Sequence, residues 1–390
     1  MSVPRDLPPP DGAPIIATPD PSASTRAPLA GRAPLLLAIG ALAAVRLAMC
    51  ARVPVNTGDV LRHIHTALYV LRDGPSAAGV PLIELDAGLQ GLSWAGVAYS
   101  YPPLVLPFFT LVAAVSPTLF AAKIALTLVE AVNATLVARI TTSRWLGVAY
   151  WALPSSIWWV SGEGQFEPLM ALFMLAAVAL VRSRPAAAFA LVALGFHVKL
   201  TAVLLVPWLV VTVRRERPEE LVRAGVAFVA ALVLPVLVAG LWYPVVQGIV
   251  GIASTLRFNP YYWNPFDDAV FLWVPPWLRV VNAVATYGVL GFMVVQATRT
   301  RAWAPWLAAI AFVVLVKAGG LAQFWYLLLF PAFVMPVERR SGLVDARVWL
   351  VVLTPLLDVY SLVELVTGPF GWLETGTYEA LTAFTPFGVR

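Results

Sequence analysis

The sequence predicts an all-α, polytopic integral membrane protein with about eleven transmembrane helices and a large first extracytoplasmic loop. Three observations lead there. The 390 residues are 60% hydrophobic and 12% charged, against about 45–50% and about 25% in soluble domains. The mean hydropathy is +0.82. Apolar runs recur along the chain, and clusters of Lys and Arg fall at alternate ends of them. The formal charge of +5 therefore reports loops kept in the cytoplasm. It does not point to nucleic acid, because no segment interleaves basic and aromatic side chains as such a surface requires. The single cysteine, Cys50, excludes an internal disulfide. It is expected to be an inert thiol, facing lipid or packed.

The elements follow in order. Residues 1–33 mix Pro4, Pro8, Pro9, Pro10, Pro14, Pro19, Pro21 and Pro28 with Ser, Thr, Asp and Gly. Such a segment buries too little apolar surface to offset its ordering entropy, so a disordered cytoplasmic tail is expected. Residues 34–390 are expected to form one transmembrane domain. The run 34–49 is the first span, and Arg26 and Arg32 before it place the N-terminus inside. It is read as a retained helix, since Arg46 lies within it and no small-residue cleavage site follows. The polar stretch 51–118 is then the first external loop. The run 104–115 is too short to cross and is expected to dip into the outer leaflet. That choice also keeps Arg139, Arg144, Arg214, Arg215 and Arg217 in the cytoplasm. Further spans are expected at 119–138, 145–160, 168–181, 186–196, 200–213, 224–242, 277–297, 303–316, 325–336 and 349–366. A second large external loop covers 243–276.

This sidedness gathers the polar residues on one face. Asp59, His63, Glu163, Gln165, Glu167, His197, Lys199, Arg257, Asp267, Asp268, Lys317 and Gln323 all fall outside. Lys199 and Lys317 run against the positive-inside bias and sit at helix ends, where an ionisable group is a functional candidate by default. Polar loops on both sides of a membrane protein are the simpler explanation for the rest.

The order of these segments resembles the GT-C fold of membrane glycosyltransferases, with mannosyltransferases that use dolichol- or polyprenol-phosphate mannose nearest. The resemblance rests on Gly58-Asp59 soon after the first span, on Tyr101-Pro102-Pro103-Leu104 closing the first loop, and on Lys123 and Glu130 in the next helix. Pro154, Ser161 and Gly164-Gln165-Phe166-Glu167 extend it, as does Phe196-His197-Val198-Lys199. It covers residues 34–215 and thins out beyond. It implies a multi-pass enzyme, in the plasma membrane of a bacterium, with its active site extracytoplasmic. That enzyme would move a sugar, mannose foremost, from a polyprenyl-phosphate donor to a lipid-linked or cell-envelope glycan acceptor by one inverting displacement. Many relatives carry two neighbouring acids in the first loop. Here Arg62 or His63 stands where the second would be, so neither a metal nor another cofactor is expected.

That chemistry needs a base for the acceptor hydroxyl and cations for the leaving phosphate. Asp59 is the candidate base; helix N-capping is the competing role for an Asp that precedes an amphipathic stretch. Lys199, Lys123 and Arg257 are candidate phosphate ligands, with snorkelling the alternative for Lys199. His63, Tyr101, Glu163, Gln165, Glu167, His197 and Gln323 are candidate contacts to donor or acceptor. His63 and His65 do not share a helix face, which argues against a metal site between them. The aromatic-rich stretch 258–268 either stacks on sugar or anchors in headgroups. A transporter or flippase for an envelope precursor is the main rival; it would place polar residues at mid-membrane in two matching halves.

Overall fold

The computed structural model describes residues 33–52, 58–90 and 95–241, with a few helical residues between 288 and 299. The expected tail 1–33, apart from its last residue, and the second loop 243–276 lie outside the described residues. So do Arg257, Gln323 and nearly all of the spans expected beyond residue 241. The described residues are helical and contain no β-strand.

Ten α-helices follow one another among them: α1 Ala33–Ala51, α2 Gly58–Asp73, α3 Leu82–Leu85, α4 Val105–Val115, α5 Leu119–Thr141, α6 Arg144–Trp151, α7 Glu167–Leu180, α8 Pro185–Phe196, α9 Val206–Glu216 and α10 Leu221–Gly240. A π-helical turn, Ser156–Gly162, joins α6 to α7, and a 3₁₀ turn, Leu200–Leu205, leads into α9. Among the described residues three helices are long and apolar enough to cross a bilayer: Ala33–Ala51, Leu119–Thr141 and Pro218–Gly240, the last being α10 with the turn before it. Val105–Val115, Glu167–Leu180 and Pro185–Phe196 are apolar but shorter. Val222, Val226, Val229 and Leu237 on α10 and Leu36, Leu37 and Leu47 on α1 all point outward. Outward apolar faces of this length are compatible with a membrane protein.

α5 is the central post. It packs on α1, α6, α7 and the π-turn, while α8 bridges α7 and α10. α5 and α6 approach closely where Gly147 lies against Ala134. A Cβ there would come within 2.6 Å of the Ala134 carbonyl oxygen, so only glycine permits the contact. Thr118 starts α5 by accepting a hydrogen bond from the Ala121 amide at 3.1 Å, which satisfies one of the open donors of the first turn.

Two expected spans are interrupted. The run 145–160 breaks at residues 152–153, just before Pro154, which has no amide to donate back across the break, and helical structure resumes from Pro154 into the π-turn. The run 200–213 divides at Pro207 into a 3₁₀ turn and α9. The first loop is also more ordered than a loop. α2 is amphipathic and lies along α4. Beyond it, Tyr69, Ala77, Leu82 and Ala95 form a small apolar cluster of their own. Asp86 caps the turn beneath this cluster, accepting from the Gly88 amide at 2.8 Å.

Candidate functional site

Several helix ends meet at one place: the C-terminus of α1, the first turns of α5 and α7, the end of the π-turn and the segment after α8. Polar side chains on these ends form three connected groups.

The deepest group is built on Arg46, 1% exposed in an otherwise apolar helix. Its guanidinium donates to the Trp151 carbonyl through Nε at 3.1 Å and through Nη2 at 2.5 Å. That carbonyl belongs to the interrupted stretch, as does that of Ser156, met by Nη1 at 3.3 Å. Nη2 also donates to Ser156 Oγ at 2.7 Å, and Ser156 Oγ donates to Glu130 Oε1 at 2.5 Å. The other carboxylate oxygen of Glu130 accepts from Tyr150 at 3.0 Å and Asn133 at 2.9 Å. Asn133 continues to the Pro168 carbonyl at 3.0 Å. A buried cation and a buried carboxylate are thus joined through one serine, and together they pin α1, α5, α6, the π-turn and α7.

The second group lies nearer the helix ends. Arg46 Nη1 reaches Ser161 Oγ at 2.9 Å, and Ser161 pairs with Thr127 at 3.0 Å. Thr127 meets Cys50, whose sulfur lies 3.4 Å from Oγ1, so the thiol is packed rather than lipid-facing. One turn above, Lys123 donates to the Arg52 carbonyl at 2.5 Å. Arg52 forms an ion pair with Glu163 at 3.5 Å and lies 4.0 Å from the Trp158 ring. Gly164 makes the sharp turn that follows. It has φ +76, and a Cβ on it would sit 3.2 Å from Val60 Cγ2 and 3.3 Å from Lys123 Cγ. Its left-handed backbone favours glycine, and the missing side chain lets α2 close over the turn. Asp59, next to Val60, therefore belongs to the first turn of the helix that covers residues 161–167.

The third group surrounds Phe166. Lys199 forms a salt bridge with Glu167 Oε1. Glu167 is wholly buried, whereas the lysine side chain keeps 19% of its surface exposed. The ammonium also stands 5.8 Å from the Phe166 ring. On the other side of that ring, His63 is stacked on Phe109 at 4.7 Å and edges against Tyr101 at 4.4 Å and Phe166 at 5.0 Å. Its Nδ1 shares a hydrogen bond with the Tyr99 hydroxyl at 2.9 Å. Among the described residues no partner reaches His63 Nε2 or Glu167 Oε2, both buried.

Of the sequence candidates, Lys123 and Glu163 meet through Arg52, Glu167 pairs with Lys199, His63 and Tyr101 pack around Phe166, and Gln165 is buried in the turn between the two ion pairs. His197 is turned elsewhere. Its Nε2 donates to the carbonyls of Leu232 at 2.8 Å and Ala231 at 3.2 Å in α10. Pro235 lacks the amide that would normally take the Ala231 carbonyl, so the imidazole fills the gap that the proline leaves. Arg46, Arg52, Ser156, Ser161, Tyr150 and Thr127 join the site without being candidates from the sequence. For Arg46 the signal was present: an ionisable residue within an apolar span.

Burial pushes the His63 imidazole well below its ordinary range, and the neighbouring Arg62 pushes the same way. Burial lowers His65 and His197 too. A depressed histidine is neutral in the folded protein while the unfolded chain already binds a proton below pH about 6.5. Stability therefore rises with pH up to that point and levels off above it. The apparent melting temperature in detergent should fall between pH 7.5 and pH 5.5, and His63→Phe should reduce the fall. An unchanged slope in His63→Phe would assign the acid sensitivity to other groups.

Comparison with family models, curated proteins and solved structures finds no match to this chain.

Proposed function

We propose that the protein is a membrane glycosyltransferase, moving a sugar such as mannose from a polyprenyl-phosphate donor to a lipid-linked or envelope glycan acceptor on the extracytoplasmic face. One observation carries the reading: the pairs Arg52–Glu163 and Lys199–Glu167 flank the short segment 163–167, against which Lys123 of α5 and Val60 and His63 of α2 pack. Cations and carboxylates collected at the ends of apolar helices suit a substrate with a lipid chain, a phosphate and hydroxyl groups. The acceptor oxygen bonds to the anomeric carbon as that carbon's bond to the phosphate oxygen breaks. Polyprenyl phosphate departs with the electron pair, and the hydroxyl proton passes to Asp59. Lys199 and Lys123 stabilise the charge that grows on the leaving phosphate.

A groove of about 490 Å³ supports the lipid part of the reading. Leu71, Pro103, Leu104, Leu111 and Val238 line it, and almost every atom it presents is apolar. Tyr101, which edges His63, lies only two residues before Pro103. An isoprenoid chain in this groove would leave its phosphate close to the Phe166 group.

A transporter or flippase remains the second reading. The network of Arg46, Ser156 and Glu130 favours it, because it lies deep among the helices beside a broken segment. The full chain in nanodiscs, given a short-chain polyprenyl-phosphate mannose and a glycolipid acceptor, should release polyprenyl phosphate in step with product. Movement of an intact lipid-linked sugar across proteoliposomes, with no turnover in nanodiscs, would replace the enzyme reading with the transporter.

A further inference from the structure

We infer that the Lys199–Glu167 pair makes Lys199 an anion receptor that is closed at rest, so that binding of a lipid phosphate and exposure of the Glu167 carboxylate are one event. This rests on the glycosyltransferase reading above. The argument begins with an asymmetry. Glu167 is fully buried, while Lys199 is the only partner of the pair in contact with solvent. A ligand arriving from outside therefore meets the ammonium before the carboxylate. The carboxylate is only half used: Oε1 takes the lysine, and Oε2 is buried with no hydrogen-bond partner among the described residues. A buried carboxylate oxygen left in this way is expensive unless something completes it. It sits in the first turn of α7, whose amide dipoles favour negative charge there.

A phosphate is a second claimant for the ammonium. When it takes Lys199, Glu167 loses its cation and is left with two open oxygens. A donor of hydrogen bonds then becomes the natural completion, and the hydroxyl groups of a glycan acceptor are such donors. Lipid phosphate should accordingly bind before the acceptor and raise the acceptor's affinity. By reciprocity, the resting pair lowers the affinity for phosphate, because only molecules with Lys199 released can bind it.

The sign of one substitution separates this from a purely structural ion pair. Glu167→Gln keeps the shape but removes the competing charge, so it should tighten lipid-phosphate binding, by about tenfold if the pair is formed about nine-tenths of the time. The double variant Glu167→Gln with Lys199→Met removes both charges together, leaves no unpaired carboxylate, and should lose the tightening and fall below wild type. Farnesyl phosphate is the probe, titrated against the full chain in nanodiscs by tryptophan fluorescence, with farnesol as the reference lacking the anion and inorganic phosphate as the anion without the chain. The expected order for farnesyl phosphate is Glu167→Gln tightest, then wild type, then the double variant. Farnesol should not distinguish them, and inorganic phosphate should follow the same order more weakly. If Glu167→Gln binds no tighter than wild type while the double variant still loses affinity, the coupling is wrong and Lys199 stands as a plain phosphate ligand. If farnesol gives the same order, the effect does not lie at the phosphate and the inference is overturned. If neither farnesyl phosphate nor inorganic phosphate binds wild type or Glu167→Gln, the glycosyltransferase reading itself falls.

Discussion

Arg46→Met should be the most destabilising single substitution in the described part of the molecule. Its guanidinium donates to two backbone carbonyls and two hydroxyls. Methionine keeps much of the length and supplies none of the donors. The carbonyls of Trp151 and Ser156 would lose that donor inside a packed interior, and Glu130 would lose the cation that balances it through Ser156. Removing one member of a buried pair costs about 3–5 kcal/mol, a large part of the roughly 5–15 kcal/mol that holds a typical domain together. The expected result is aggregation or a much reduced melting temperature in detergent. Glu130→Gln introduced into the same chain should recover part of the loss, because no uncompensated carboxylate remains. Recovery should be visible as a coupling of about 0.5–3 kcal/mol in the double-mutant cycle. A stable, monodisperse Arg46→Met protein would show that the network is not what ties α1 to the π-turn.

The division between what was legible and what was not follows the physics of each signal. Apolar runs of spanning length fix helices directly, so 119–138 and 34–49 were readable to within a few residues of Leu119–Thr141 and Ala33–Ala51. Pro154 and Pro207 are visible too, but the apolar runs continue across them, because hydropathy does not register a missing amide. The Lys199–Glu167 pair was not readable as a pair. Both residues were candidates, yet they are 32 positions apart and only the packing of α7 beside α8 brings them together. His197 shows the opposite failure. A histidine at a helix end looked like a substrate ligand, and its true partner, a carbonyl left open by Pro235 one helix further on, follows from tertiary contact alone. Arg62, one of the two residues that stand where relatives carry a second acid, has a role that its position in the sequence does not reveal. It spans the first loop, donating to the carbonyls of Val97 and Ala98 at 3.0 Å each.

Asp59→Asn is expected to cost the most activity of any change that leaves the fold intact. Asparagine keeps the size and can still accept a hydrogen bond in the first turn of α2, so the helix should survive, but it cannot take the proton of the acceptor hydroxyl. Loss of such help lowers turnover by about 10²–10⁴-fold. Farnesyl phosphate affinity should stay at the wild-type value, since the phosphate is assigned to the lysines. That contrast matters, because Glu167→Gln should change binding in the tighter direction while Asp59→Asn changes turnover alone. On the proposed reading the two acids are not redundant. Val60, the neighbour of Asp59, rests against the space at Gly164, so the start of α2 covers the 161–167 turn from above. Glu167 lies beneath, buried and already committed to Lys199. On the proposed reading, Asp59 accepts the proton while Glu167 holds the hydroxyl that gives it up. Turnover, measured with saturating donor and acceptor in nanodiscs, decides the matter. A rate near wild type in Asp59→Asn would remove that residue as base and pass the role to Glu163 or Glu167, of which only Glu167 has an uncommitted oxygen beside the bound phosphate's lysine.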